Sequence, residues 1–199
     1  MTSHRSYELK RRAERQDETR RRIVEATVEL HTTVGPARTT VAAIAQRAGV
    51  TRPTVYAHFP DADSLFRACS GHVRDTVPPP DLTPWRTIED PVERLRTALG
   101  ALYAYHEQLE QLLDHVLRAA PVLPILREVG AYRVRYLEEV RELLLAGWPV
   151  RGGARTRLRR AIGHALDFRT WQSLHGQGCS NRDAVALMSV FVRAAASER

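Results

Sequence analysis

The chain has 199 residues, of which 43% are hydrophobic and 27% charged, and its formal net charge at pH 7 is +7. This composition is ordinary for a folded globular protein and excludes a chain that is disordered throughout. No stretch of eighteen apolar residues occurs, and the N-terminus is arginine-rich where a signal peptide needs an apolar segment. We therefore expect no membrane span and a cytoplasmic protein.

The positive charge is uneven along the sequence. Residues 1–22 hold eight basic and four acidic side chains, residues 23–79 hold five of each, and residues 80–199 hold seventeen and fourteen. Such a basic arm favours an acidic partner, with nucleic acid as the first candidate. Charge alone does not decide the partner, because the rest of the chain is close to neutral.

The first predicted element is this charged arm, which leads into a helix. We expect the early part of the arm to be disordered in isolation, since its arginines alternate with acidic residues. The helix that follows ends at Gly35-Pro36. Its apolar positions keep a spacing of three and four residues: Ile23, Ala26, Leu30 and Val34.

Three short helices are predicted next. Thr40 is the predicted N-cap of a helix over residues 41–48, which Gly49 ends. A brief helix then runs from about Arg52 to His58, with Pro53 in its first turn, and Asp61 caps the next helix. Prolines between residues 78 and 84 mark a linker, which places a domain boundary near residues 77–85.

Longer helices are predicted beyond the linker. An apolar stripe from Val92 to Val116 predicts one long helix or two helices with a kink, and a further helix ends at Gly147-Trp148-Pro149. A helix over about residues 151–175 and a last helix capped by Ser180 and Asp183 complete the chain. Because no segment shows the alternation of a strand, the predicted fold class is all-α.

The arrangement from Thr40 to Phe59 is what a helix-turn-helix requires. The second helix presents its N-terminal residues to base edges in the major groove, while the first packs behind it. Glycine in the turn tolerates the positive φ of the sharp reversal, and small alanines let the helices approach closely. Neutral donors to phosphate oxygens are available from Thr40, Thr51, Thr54, Tyr56 and His58.

These residues resemble the N-terminal signature of the tetracycline-repressor (TetR) family. The shared spacing runs Thr40-Val41-x-x-Ile44-Ala45-x-x-Ala48-Gly49-Val50-Thr51-x-x-Thr54-x-Tyr56-x-His58-Phe59, followed by Asp61 and Leu65. The resemblance implies a basic arm over residues 1–22, a helix-turn-helix DNA-binding domain over 23–77 and an effector-binding and dimerisation domain over 78–199. The partners it implies are double-stranded DNA, a second copy of the chain and a small-molecule effector.

The family's roles are carried over residue by residue. Positions that usually face bases are held by Arg52, Pro53 and Ala57, with Ala42 from the preceding helix. Positions that usually touch phosphates are held by Thr40, Thr54, Tyr56 and His58. The family commonly has a lysine just after the cap of the fourth helix, where this chain has Ala62. We expect the arginine arm to compensate by contacting DNA, and the alternative is a solvated helix extension with internal Glu–Arg pairs.

The resemblance also implies an effector cavity, and a dimer in which the last two helices pair with their two-fold mates. Apolar residues around Leu158 to Trp171 and Val185 to Val192 offer more surface than one subunit is expected to cover. Effector contacts are expected from polar or aromatic residues set into apolar stripes: Tyr103, His106, Tyr132, Tyr136, Phe168 and Trp171. A hydrogen-bonded core histidine is the alternative role of His106.

The predicted function is a repressor that a small-molecule effector releases from a pseudo-palindromic operator. The alternative is an effector-independent, architectural DNA-binding protein whose cavity is filled by side chains. An enzyme is not expected, because the sequence has no Gly-x-Ser-x-Gly, phosphate loop or metal motif, and we expect no cofactor and no metal. The run of arginines between residues 151 and 160 is interpreted as a solvated loop and helix start.

Overall fold

A computed structural model describes residues 2–197, and the side chains from residue 7 to residue 197. This part of the chain contains helices and no strand, as the sequence predicts. The helices are α1 (Thr2–Thr33), α2 (Val41–Ala48), α3 (Arg52–His58), α4 (Ala62–Thr76), α5 (Thr83–Arg86), α6 (Pro91–Gln108), α7 (Glu110–Ala119), α8 (Ile125–Leu145), α9 (Gly152–Leu166), α10 (Phe168–His175) and α11 (Asn181–Ala196).

Helix α1 takes in most of the basic arm as well as the first predicted helix. Its N-terminal part is helical where the sequence analysis expected disorder in isolation. No glycine or proline stands between residues 2 and 34, so nothing in the sequence interrupts the helix. Arg21 adds ion pairs with Glu18 and Glu25 at helical spacing, of 2.6 and 2.9 Å.

Two predicted helices are each divided in the structure. The stripe from Val92 to Val116 belongs to α6 and α7, which separate at Leu109. The single helix expected over residues 151–175 is wrong, because Asp167 adopts an extended backbone and separates α9 from α10. Its carboxylate accepts the backbone N–H of Arg169 at 2.7 Å. Aspartate forms such caps readily and therefore starts a new helix here.

The chain divides into two compact units, one of residues 1–76 and 111–130 and the other of 77–110 and 131–199. The core of the first unit joins α1 to α4 through residues that include Ile23, Ile44, Val55 and Phe59. Residues 111–130 pack with this unit: Arg67 donates to both carboxylate oxygens of Glu128, at 3.0 and 2.9 Å. The predicted second domain started at residue 78 and did not anticipate this assignment.

In the second unit, helix α11 packs against α6 and α9. Ala184, Met188 and Val192 are buried on one side of α11, whereas the other side is exposed. Helix α9 differs from the expectation of surplus apolar surface, because Leu158, Ile162, Ala165 and Leu166 are all buried within the same subunit. Its exposed positions include three arginines, in agreement with the interpretation of a solvated helix start: Arg155, Arg157 and Arg160.

Candidate nucleic-acid interface

The turn between α2 and α3 is fixed by two caps and a glycine. The Thr40 hydroxyl accepts the backbone N–H of Ala43 at 3.2 Å, and the Thr51 hydroxyl accepts that of Thr54 at 3.3 Å. Gly49 has φ of +64°, a left-handed conformation that other residues adopt at a cost. The predicted N-cap and the predicted break are both confirmed.

Packing sets which side of α3 faces outward. Val55 and Phe59 are buried in the core, against the small side chains Ala45 and Ala48 of α2. The opposite face of α3 is exposed and carries Arg52, Pro53, Tyr56 and Ala57. Tyr56 is 54% exposed, which leaves its phenol free to reach a phosphate. This is the arrangement that a recognition helix needs.

The other residues predicted to touch DNA lie at the edges of this face. Thr40 and Thr51 are exposed, whereas Ala42, Thr54 and His58 are partly buried. The hydroxyls of Thr51 and Thr54 lie 2.8 Å apart and form a hydrogen bond with each other. The predicted DNA-binding residues thus all lie on α2, on α3 or at the N-caps of these two helices.

Three arginines at the end of the basic arm make contacts inside the first unit. The Arg20 guanidinium lies 4.4 Å from the centre of the Phe59 ring, and Arg21 pairs with glutamates of α1. Arg22 donates to the backbone carbonyls of Ala48 and Gly49, where α2 ends. A cation at a helix C-terminus satisfies unpaired carbonyls and complements the helix dipole. Arg20 and Arg22 therefore help to hold the helix-turn-helix together, whereas Arg21 stabilises α1 itself.

The start of α4 has an acidic cap, Asp61, and no basic residue at the position that follows it. Asp61 accepts the backbone N–H of Ser64 at 2.6 Å, which confirms the predicted cap. This bond and the one from the Ser64 side chain lower the pKa of Asp61, so the carboxylate stays ionised at neutral pH. Ala62, the first residue of α4, adds no charge that would meet a phosphate.

Residues 23–69 match the sequence profile of the family described as bacterial regulatory proteins, tetR family. The chain carries a TetR-family DNA-binding domain. The matched segment runs from the first core residue of α1 to Cys69 of α4, and it contains the whole turn described above. This segment is therefore similar to the N-terminal domain of bacterial regulatory proteins of the tetR family.

The fold of almost the whole chain is also that of TetR regulators of known structure. A TetR-like transcriptional regulator from Rhodococcus sp. RHA1 has a TM-score of 0.66 at 20% identity, covering 90% of this chain and 97% of that one. A TetR family transcription regulator from Marinobacter aquaeolei VT8 has a TM-score of 0.62 at 21% identity, covering 94% and 100%. The TetR family regulator PfmR from Thermus thermophilus has a TM-score of 0.61 at 22% identity, covering 89% and 96%. No curated protein is significantly similar in sequence.

Beyond the TetR-family domain, four of the six predicted effector residues come together. Tyr103, His106, Phe168 and Trp171 are buried in the second unit, and His106 stacks on Phe168 with ring centres 5.5 Å apart. Tyr103 donates to the carbonyl of Ala165 at 2.9 Å, and Trp171 donates to the side chain of Asn181 at 2.8 Å. These two polar groups are satisfied by the protein itself.

The remaining two predicted effector residues lie on α8. Tyr136 is buried and donates to the carbonyl of Pro80 at 2.9 Å, whereas Tyr132 is 39% exposed. In addition to burial, Tyr132 raises the pKa of Tyr105, and Tyr105 in turn raises the pKa of Tyr136. The three phenols therefore lie within electrostatic range of one another. Tyr105 links the two groups of predicted residues, because its ring also meets His106 edge-on at 6.3 Å.

Two features of the described residues concern other classes of site. None of the helices in the described part of the chain is long and apolar enough to cross a membrane. Among residues 7–197, no three histidine, cysteine or acidic side chains gather as metal ligands.

Proposed function

We propose that the protein is a homodimeric transcriptional repressor that binds a pseudo-palindromic operator and releases it when a small-molecule effector binds. The observation that carries the DNA-binding part is the exposed face of α3, formed by Arg52, Pro53, Tyr56 and Ala57 above a buried core. Acting on DNA, such a protein works in the cytoplasm and needs no catalytic group.

In this proposal the residues of the reading face divide into two roles. Arg52, Pro53 and Ala57, with Ala42 of α2, face base edges. Phosphate contacts come from donors around them: Thr40, Thr51, Thr54, Tyr56 and His58. Hydroxyl and phenol donors position the protein on the duplex, whereas an exposed guanidinium at the start of α3 reads guanine O6 and N7.

Two substitutions test this division. Arg52→Ala is expected to relax preference at one base pair of the operator, at a cost of about 1–3 kcal/mol for the correct base. Tyr56→Phe is expected to weaken binding to all sequences by a similar factor, because it removes a phosphate contact. Binding of each variant to an operator and its single-base variants can be measured by gel shift. Equal loss on every sequence by Arg52→Ala would contradict a base-reading role.

Release by an effector is supported by the polar and aromatic residues that the second unit gathers. Tyr103 and His106 of α6 lie with Phe168 and Trp171 of α10, and both ring nitrogens of His106 are without a hydrogen-bond partner among the described residues. A specific observation favours the effector-independent alternative: Tyr103, Phe168 and Trp171 are fully buried within the subunit. Release of operator DNA by a metabolite would favour the first function over the second.

The basic arm is proposed to contact DNA with its exposed arginines before residue 20. Arg11, Arg12 and Arg15 lie on the exposed surface of α1, whereas Arg20 to Arg22 are already engaged in the first unit. Each cation that neutralises one phosphate adds about 0.9 to the slope of log affinity against log salt. Deleting residues 1–18 is expected to lower that slope by about two to three for each bound protomer, and by roughly twice that for a dimer on its operator. An unchanged slope would leave the arm as a solvated helix extension.

A further inference from the structure

His106 is a buried polar side chain that the protein leaves unsatisfied. Its ring is fully buried against Phe168, with centres 5.5 Å apart, and against Trp171, at 5.8 Å, and these two rings also contact each other, at 5.6 Å. Neither ring nitrogen has a hydrogen-bond partner among the described residues. Buried polar groups are nearly always paired, because an unpaired one keeps the full cost of leaving water. The alternative role of a hydrogen-bonded core histidine is therefore not supported by its contacts.

Arg133 on α8 presents a second unsatisfied group beside it. The Nη2 atom of Arg133 is buried and has no hydrogen-bond partner in the described part of the chain. Burial lowers the pKa of this guanidinium, although Tyr105 and Asp167 attract its charge. Burial and the positive charge of Arg133 together lower the pKa of His106 to about 3, so the two side chains are near each other and His106 is neutral.

The two groups define the chemistry of a ligand. A guanidinium offers donors only, and a neutral imidazole offers one donor and one acceptor. A guanidinium with an unpaired buried N–H group attracts an anion, and a carboxylate matches the fork of the arginine with two parallel hydrogen bonds. The surrounding side chains are rings, with Tyr105 at the edge of His106 and Tyr132 and Tyr136 close to Tyr105. Aromatic walls favour a flat, apolar ligand body.

We propose that Arg133 and His106 form the polar end of an effector site for a small aromatic carboxylate. The guanidinium holds the carboxylate, His106 donates a hydrogen bond to it, and the phenol rings of α6 and α8 cover the aromatic body. This inference rests on the proposed function, since it names the ligand class of the effector site proposed above.

Calorimetric titration of the full-length protein tests the charge preference. The ligands are benzoate, phenylacetate and cinnamate, each compared with its neutral amide, which keeps the shape and removes the charge. We expect at least one acid to bind roughly ten-fold or more tightly than its amide. Amides that bind as well as the acids, or no binding of any acid at millimolar concentration, would overturn the proposal.

Substitutions at two arginines of α8 assign the preference to Arg133. Arg133→Met is expected to abolish the preference for the acids, and Arg135→Met is the matched control, since Arg135 is exposed two residues further along the same helix. We expect the melting temperature of Arg133→Met without ligand to equal or exceed that of the wild type, because a buried guanidinium N–H group without a hydrogen-bond partner is removed. A preference that survives in Arg133→Met would overturn the proposal. If that variant does not fold, Arg133→Lys replaces it, with partial retention of the preference expected and full retention contradicting the role of the fork.

Two further measurements test the ligand site and the regulatory function separately. His106→Phe keeps a ring packed against Phe168 and Trp171 but removes both nitrogens, so we expect weaker binding of the acids by several-fold. Unchanged affinity would remove His106 from the site. Gel shifts with operator DNA then decide the regulatory part independently. Acids that bind without releasing DNA would uphold the carboxylate site and contradict effector release, and failure to bind any DNA would contradict the regulator function alone.

Discussion

Replacing Val190 by glutamate is expected to separate the dimer into monomers and to weaken operator binding by roughly a hundred-fold or more. Val190 lies on the exposed side of α11 with Leu187 and Phe191, and these three side chains are 62%, 50% and 44% exposed. They recur at a spacing of three and four residues, so they form one apolar face that a second copy of the chain would cover. A glutamate there would bury a charge at the two-fold interface, opposite its own copy.

Val122→Glu is the control for this experiment. Val122 is 70% exposed but lies outside the α11 face, in the turn between α7 and α8. The Val122→Glu protein should remain dimeric and bind the operator as the wild type does. Mass measurement by light scattering and operator titration give the two readouts. A dimeric Val190→Glu protein with unchanged operator affinity would contradict the assignment of the dimer to this face.

Acidification from pH 7 to pH 5 is expected to cost about 2 kcal/mol of unfolding free energy for each of two buried histidines. Burial lowers the pKa of His31 to about 4, and burial with the charge of Arg133 lowers that of His106 to about 3, from an ordinary value of 6.5. Below pH 6.5 each of these histidines binds a proton in the unfolded chain but stays neutral in the folded chain. The contribution of the two neutral histidines to the unfolding free energy is therefore present above pH 6.5, and it is lost as the pH falls towards their pKa values in the folded chain.

His106→Phe isolates one of these contributions. All three tryptophans lie beyond residue 80, so their fluorescence during urea unfolding follows the unit that contains His106. At a fixed protein concentration, the wild type is expected to lose about 2 kcal/mol more than His106→Phe between pH 7 and pH 5. Equal losses in the two proteins would show that His106 is not held neutral by burial.

The first unit was predicted most fully, because its signals are local. Thr40, Gly49 and Asp61 act within one helix turn of their own positions, so their spacing fixes caps and breaks without reference to the rest of the chain. The TetR resemblance added what spacing cannot, namely which exposed positions are expected to face bases and which are expected to face phosphates. The contacts of Arg20 and Arg22 were missed, since they join residues 26 to 39 positions apart in the sequence.

The second unit was predicted less well, because its helices are defined by what they pack against. Arg133 occupies the inward position between Val129 and Tyr136 in a spacing of four and three, and this was the available signal for a buried cation. From the sequence, Arg133 was considered only as part of the net charge of residues 80–199. Tyr105 was overlooked because it stands beside the stripe that holds His106. The break between α9 and α10 was missed because the sequence pattern is helical on both sides of Asp167. The side chain of Asp167 caps α10 and so ends the continuous helix that this pattern predicts.

The central claim, that α3 is the reading helix of a DNA-binding regulator, is tested most directly by binding of the wild-type protein to the DNA that flanks its own gene. Fluorescence anisotropy at low and physiological salt would compare a pseudo-palindrome from that region with a scrambled duplex of the same length. We predict that two protomers bind the pseudo-palindrome at least about a thousand-fold more tightly than the scrambled duplex at physiological salt. Equal affinity of a folded dimer for both duplexes would contradict the claim.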